Sequence, residues 1–164
     1  MGGRTVDTQD KPLRQHLVEL LDGGQAHLEL DEVVADVPFH AWGRRATGAP
    51  YTLWQLLEHL RICQWDILEF SRNREHVSPE HPRGYWPPSD SAPDEAAIAT
   101  SLEACRRDLQ AMIALVRDPK TDLLARIPWG DGQTILREAM LVADHNSYHL
   151  GQIVLVRKLL DEWQ

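Results

Sequence analysis

Ala143-Asp144-His145-Asn146-Ser147-Tyr148-His149-Leu150-Gly151-Gln152-Ile153 sets two histidines four residues apart inside a longer run of helical periodicity. Side chains at i and i+4 of an α-helix lie one above the other on one face, so both imidazoles project from the same side. Neutral imidazole is a common nitrogen donor for zinc and related ions, and two of them one turn apart can share an ion at about 2.0–2.1 Å. Two ligands make a weak site, so a third donor has to come from elsewhere. The best candidate is His59, in a second strongly periodic stretch, Trp54-Gln55-Leu56-Leu57-Glu58-His59-Leu60. Taken singly, a histidine on an apolar helix face is more often a hydrogen-bonded core residue than a ligand; the three together shift the balance toward metal. Asn146, not a glutamate, follows His145. The H-E-x-x-H motif is therefore absent, and with it the built-in general base of a zinc peptidase.

The helix that carries the pair should run from near Thr134 to near Trp163. Its register turns Leu141, His145, Tyr148, His149, Gln152 and Val156 inward and leaves Arg137, Arg157 and Lys158 among the polar positions. The helix of His59 opens with Thr52 and Gln55 placed as a capping box and extends to about Ser71, with His59, Ile62, Cys63, Asp66 and Phe70 on one stripe. A third helix, from about Asp94 to Arg117, buries Ile98, Leu102, Cys105, Leu109, Met112, Ile113 and Val116, and Asp118-Pro119 stops it. A first helix starts at Asp10 or Lys11 with Leu13, Leu17, Leu20 and Leu21 at helical spacing, and Gly23-Gly24 ends it. A further helical piece is expected from about Gln25 to Ala35, followed by a turn-rich stretch to Pro50. The segment from about Asn73 to Pro93 contains Pro79, Pro82, Pro87, Pro88 and Pro93 around the aromatic pair Tyr85-Trp86. A connection this long serves as a lid, a binding loop or a crossover between parallel neighbouring helices. No strand-like alternation or internal repeat is present, so the expected fold is an all-α four-helix bundle.

The length of 164 residues suits one domain, 1–164, with a core that needs neither disulfides nor metal to fold; residues 1–10 are polar and expected to be flexible. A net charge of −8 and no basic stripe argue against a nucleic-acid surface. The N-terminus lacks the apolar run of a signal peptide and no stretch is long enough to span a membrane, which makes the cytoplasm the expected compartment. Cys63 and Cys105 each stand alone in a helical pattern, as small buried apolar residues, although Cys63 lies one turn from His59 and could approach the site.

The combination of Trp54-Gln55-Leu56-Leu57-Glu58-His59-Leu60 with His145-Asn146-Ser147-Tyr148-His149-Leu150-Gly151-Gln152-Ile153 resembles the DinB/YfiT-like superfamily of metal-binding four-helix bundles, over nearly the whole chain. The resemblance implies an up-up-down-down arrangement with a proline-rich crossover. It also implies one divalent ion, zinc or nickel, on His59, His145 and His149, and frequently a homodimer. Characterised relatives include transferases and isomerases that work with low-molecular-weight thiols, and others are regarded as metal-dependent hydrolases. A three-histidine ion keeps its charge and open positions, and so can lower the pKa of a bound water to about 7 or stabilise a thiolate. A thiol-dependent S-transferase acting on a small molecule is the favoured expectation; a hydrolase, or a noncatalytic bundle with a structural or partner-binding role, is the alternative.

No catalytic acid or base can be named from the sequence. Asp66 and Glu138 share faces with ligands but stand about 10 Å away along the axis, while Asp144 and Glu58 read as solvated or interface charges. Tyr148 and Gln152 could orient ligands or substrate, or only pack. Tyr85 and Trp86 read equally as a pocket wall or as an anchor for the crossover. Trp42 and Trp129, each beside glycine, suggest an exposed aromatic patch through which two copies would meet, with a complete metal pocket in each protomer.

Overall fold

The structure, a computed structural model, describes residues 10–163; apart from Asp10, the opening segment expected to be flexible lies outside them. The described residues form six α-helices and no strand: α1 (Asp10–Asp22), α2 (Leu30–Val34), α3 (Phe39–Trp42), α4 (Leu53–Arg72), α5 (Glu95–Arg117) and α6 (Ile135–Leu159). The four long helices α1, α4, α5 and α6 pack on one another as an all-α bundle.

Local chemistry sets the helix boundaries. Thr52 Oγ1 accepts from the Gln55 backbone N–H (3.2 Å) and Gln55 Oε1 accepts from the Thr52 N–H (3.1 Å), the reciprocal pairing the sequence suggested for the start of α4. Asp94 caps α5 through Ala97 and Thr134 caps α6 through Arg137. Gly23 and Gly24 end α1 at φ of +79° and +74°, the left-handed region that glycine enters without a Cβ clash. They also keep α2 short of the expected 25–35: the chain leaves the left-handed pair and restarts only where Glu29 and Glu32 form their own capping box. Leu13 and Leu20 of α1 are exposed, and the inward row is Leu17, Val18 and Leu21. α6 ends at Leu159, short of Trp163. There Arg157, expected on the polar side, turns inward and donates to the carbonyls of Val33 and Glu162, tying the tail back onto α6.

Cross-helix pairings give the directions. Glu58 meets Ser101 and Gln64 meets Cys105, so position rises together along α4 and α5 and the two run parallel. The early leucines of α4, Leu53 to Leu60, share a core cluster with Leu150, Ile153 and Val156, whereas Leu68 packs with Ala139 and Val142; α6 therefore runs antiparallel to α4. Arg14 of α1 reaches the Val116 carbonyl while Leu21 lies near Cys105 and Leu109, so α1 is antiparallel to α5. The order is thus up-down-down-up, not the expected up-up-down-down. The reason is the link between α4 and α5: parallel neighbours force it back along a 20-residue helix, about 30 Å at 1.5 Å per residue. The proline-rich segment makes that journey, with one 3₁₀ turn at Arg83–Tyr85, and passes over the middle of α4, where His59 sits.

Candidate metal centre

Two apolar clusters divide the bundle, one around Leu53–Leu60 and Leu150–Val156, the other around Leu68, Met112 and Val142. Cys63, Gln64, His145 and Asn146 occupy the level between them. Antiparallel α4 and α6 bring the three histidines together there. The ring centroids lie 5.1 Å apart for His59 and His145, 4.6 Å for His59 and His149, and 4.4 Å for His145 and His149. His145 Nε2 stands 3.3 Å from His59 Nε2. Two nitrogens bound tetrahedrally to one ion at about 2.0–2.1 Å are themselves about 3.3 Å apart, so this spacing fits a shared metal.

Hydrogen bonds orient two of the rings. His59 Nδ1 lies 2.7 Å from the Tyr85 carbonyl oxygen, which can only accept. Nδ1 therefore carries the proton and Nε2 presents its lone pair to the cluster. His149 Nδ1 donates to Gln152 Oε1 at 2.8 Å, freeing its Nε2 in the same way. His145 Nδ1 is buried with no partner, so that ring is held by packing and by its Nε2 contact with His59 Nε2. Burial, together with repulsion from the neighbouring imidazoles, pushes His145 down to about 3, and burial beside His59 pushes His149 down to about 4. Burial also lowers His59. All three rings are therefore neutral at pH 7, the form that binds metal.

The tightest grouping of donor atoms is His59, Cys63 and His145, whose nitrogens and sulfur lie within 4.8 Å of one another; together they are close enough to hold a metal ion. Cys63 Sγ stands 3.6 and 3.8 Å from the two ring nitrogens of His59. Burial, with the Asp66 charge adding, pushes its thiol up to about 12, so without an ion it remains a thiol. His149 lies against this trio through its ring, on the adjoining turn of α6.

The crossover supplies more of the site than the sequence suggested. Trp86 stacks on His59 at 3.9 Å with the planes 2° apart, and Tyr51 stacks on the other side of Trp86 at 4.0 Å. Trp86 thus anchors the crossover against His59. Tyr148, expected to face inward, is 64% exposed, with its ring at right angles to that of His149 at 5.0 Å. Three of the four carboxylates singled out in the sequence are engaged elsewhere. Glu58 is an interface charge: against the cost of burial, Arg61 and Ser101 hold its carboxyl below the usual range. Glu138 pairs with Arg137, Asp144 is exposed, and both oxygens of Asp66 are taken, by the Tyr85 hydroxyl and by His76 Nε2, each at 2.7 Å. His76 was not legible in the sequence, because its partner lies ten residues away across the end of a helix.

The chain matches the family model for the DinB superfamily over residues 24–153. This chain belongs to the DinB superfamily. No curated protein and no solved structure gives a match.

Proposed function

We propose that this DinB-superfamily protein is a metal-dependent enzyme that holds one zinc or nickel ion on His59, His145 and His149 and transfers a small-molecule thiol to an electrophile. The supporting observation is the convergence of three neutral imidazoles with two Nε2 atoms 3.3 Å apart and no carboxylate among them. An ion on three uncharged ligands keeps its full positive charge, which it would lend to an approaching thiol or water as a Lewis acid.

Thiol transfer is favoured over hydrolysis by the state of the carboxylates. Hydrolysis gains from a general base within reach of the attacking water, yet Asp66 and Glu58 are already engaged by Tyr85, His76, Arg61 and Ser101. A thiol needs only its negative charge stabilised. Trp86 and Tyr51 would shield the His59 side from water, and Gln152 would keep His149 in its metal-binding form. A noncatalytic metal-binding bundle is the second reading, favoured by Cys63: a sulfur beside His59 could close the coordination sphere from within the protein.

The test is consumption of a model electrophile with several cellular thiols by protein loaded with Zn²⁺ or Ni²⁺. Thiol-dependent turnover that disappears in His149→Ala supports the enzyme. A loaded protein without turnover, but with Cys63 bonded to the ion, supports the closed structural site.

The same proposal places the protein in the cytoplasm, in keeping with two buried unpaired cysteines, and among the described residues no helix is long and apolar enough to cross a membrane. It also makes the protein a homodimer. Trp42 does not support this, since it is buried in the core; Trp129 is exposed, with its Nε1–H donating to the Phe70 carbonyl. The support comes from α6, whose outer side exposes Met140, Tyr148, Leu155 and Leu159.

A further inference from the structure

The geometry points to Asp66 and Tyr85 as positioning residues for the metal ligand His59: by gripping the Tyr85 hydroxyl, Asp66 holds the Tyr85 carbonyl on His59 Nδ1 and so fixes the ring with its Nε2 lone pair toward the cluster. The value of this for metal binding rests on the reading proposed above; the positioning itself does not.

Asp66 lies two turns beyond His59 on α4, too far to touch the ring, and it acts through the crossover. Its Oδ2 accepts from Tyr85 Oη at 2.7 Å, and its Oδ1 is held by His76 Nε2, also at 2.7 Å. His76 is itself fixed, with its ring edge-on to Trp65 at 5.0 Å. Tyr85 is therefore bound to α4 at both ends: through its hydroxyl to Asp66 and through its carbonyl to His59 at 2.7 Å. Trp86 follows immediately and lies parallel to the same imidazole, so one anchor sets both the proton position and the plane of the ring. Without it, a proline-rich connection has few backbone hydrogen bonds of its own to keep one carbonyl in register with one side chain. A ring nitrogen that bonds a fixed acceptor is protonated there, and the other nitrogen becomes the ligand; losing such an outer partner commonly weakens metal binding by about 10–100-fold, and because the hydroxyl acts one step removed its loss corresponds to about tenfold.

The test uses the full chain, labelled with ¹⁵N, as Tyr85→Phe, Asp66→Leu and Asp66→Asn. In metal-free protein at neutral pH, long-range ¹⁵N–¹H spectra show which nitrogen of His59 carries the proton. The parent should show the Nδ1–H form alone. Tyr85→Phe and Asp66→Leu should show a mixture with the Nε2–H form and an affinity for Zn²⁺ lower by about tenfold, with helical circular dichroism unchanged. Asp66→Asn keeps an oxygen for the hydroxyl and should retain the single form. Should Asp66→Leu fail to fold, Tyr85→Phe carries the test unaided, since it removes one oxygen atom and leaves the carbonyl in place. A His59 that remains wholly Nδ1–H in the variants overturns the assignment, whatever their stability. A parent that binds no Zn²⁺ yet shows the shift in tautomer removes the metal reading and upholds the positioning role.

Discussion

Burial makes the three histidines poor bases, and that has a consequence for acid stability. An unfolded histidine titrates near 6.5, whereas in the fold His145 is pushed down to about 3 and His149 to about 4. Below the unfolded pKa, the unfolded chain takes up protons that the folded rings refuse. The stability these residues confer is thus complete above about pH 6.5 and drains away as pH falls toward about 3–4. Metal-free protein should show a lower urea midpoint at about pH 5 than at about pH 7, and His145→Gln, which cannot protonate, should show a smaller drop. Equal pH dependence in the two proteins would contradict the assignment of buried neutral rings. The histidine trio itself was legible from the sequence because spacing and stripe survive folding unchanged. What holds the trio was less legible. The Tyr85 carbonyl is a backbone atom with no residue signature, and Arg157 is long enough to turn inward from a position that reads as surface.

The helices behave as their caps and apolar rows dictate, and the capping box of α4 is the most exactingly specified. Thr52 is fully buried, accepts from Gln55 and donates to the Asp90 carbonyl at 2.6 Å. One hydroxyl therefore starts the ligand-bearing helix and pins the end of the crossover to it. Thr52→Ala should cost about 1–2 kcal/mol, the upper part of the range for a lost cap because the second bond goes too. Urea unfolding would measure it, and a change below about 0.3 kcal/mol would show that the cap is dispensable. Helices with a clear start and a long apolar row, α4 and α5, were readable to within a residue or two. α2 and α3 were not: at five and four residues they carry too little periodicity to separate from turns, and packing on the core decides their form.

At the scale of the molecule, the parallel pairing of α4 and α5 is what sends the crossover past His59. The direction of each helix was not legible, because hydrophobic patterning fixes which face is buried and is silent on which way the helix points. The outer side of α6 governs the proposed assembly. Leu155→Glu, at a site 56% exposed, would leave a monomer's fold intact but put a charge into an apolar interface. Sedimentation at micromolar concentration should give a dimer for the parent and a monomer for the variant; a monomeric parent would remove the assembly while leaving the metal site untouched. Because the two leucine-rich clusters lie on either side of the histidines, the bundle should also keep its helical circular dichroism after chelation. The most direct test of the central claim is a competitive Zn²⁺ titration of the untagged chain beside His59→Ala, His145→Ala and His149→Ala. The account predicts one ion per chain in the parent and a loss of affinity greater than about a hundredfold in each variant, more than the loss of an outer hydrogen-bond partner causes. A parent that binds no stoichiometric ion, or variants that bind as tightly as the parent, would contradict it.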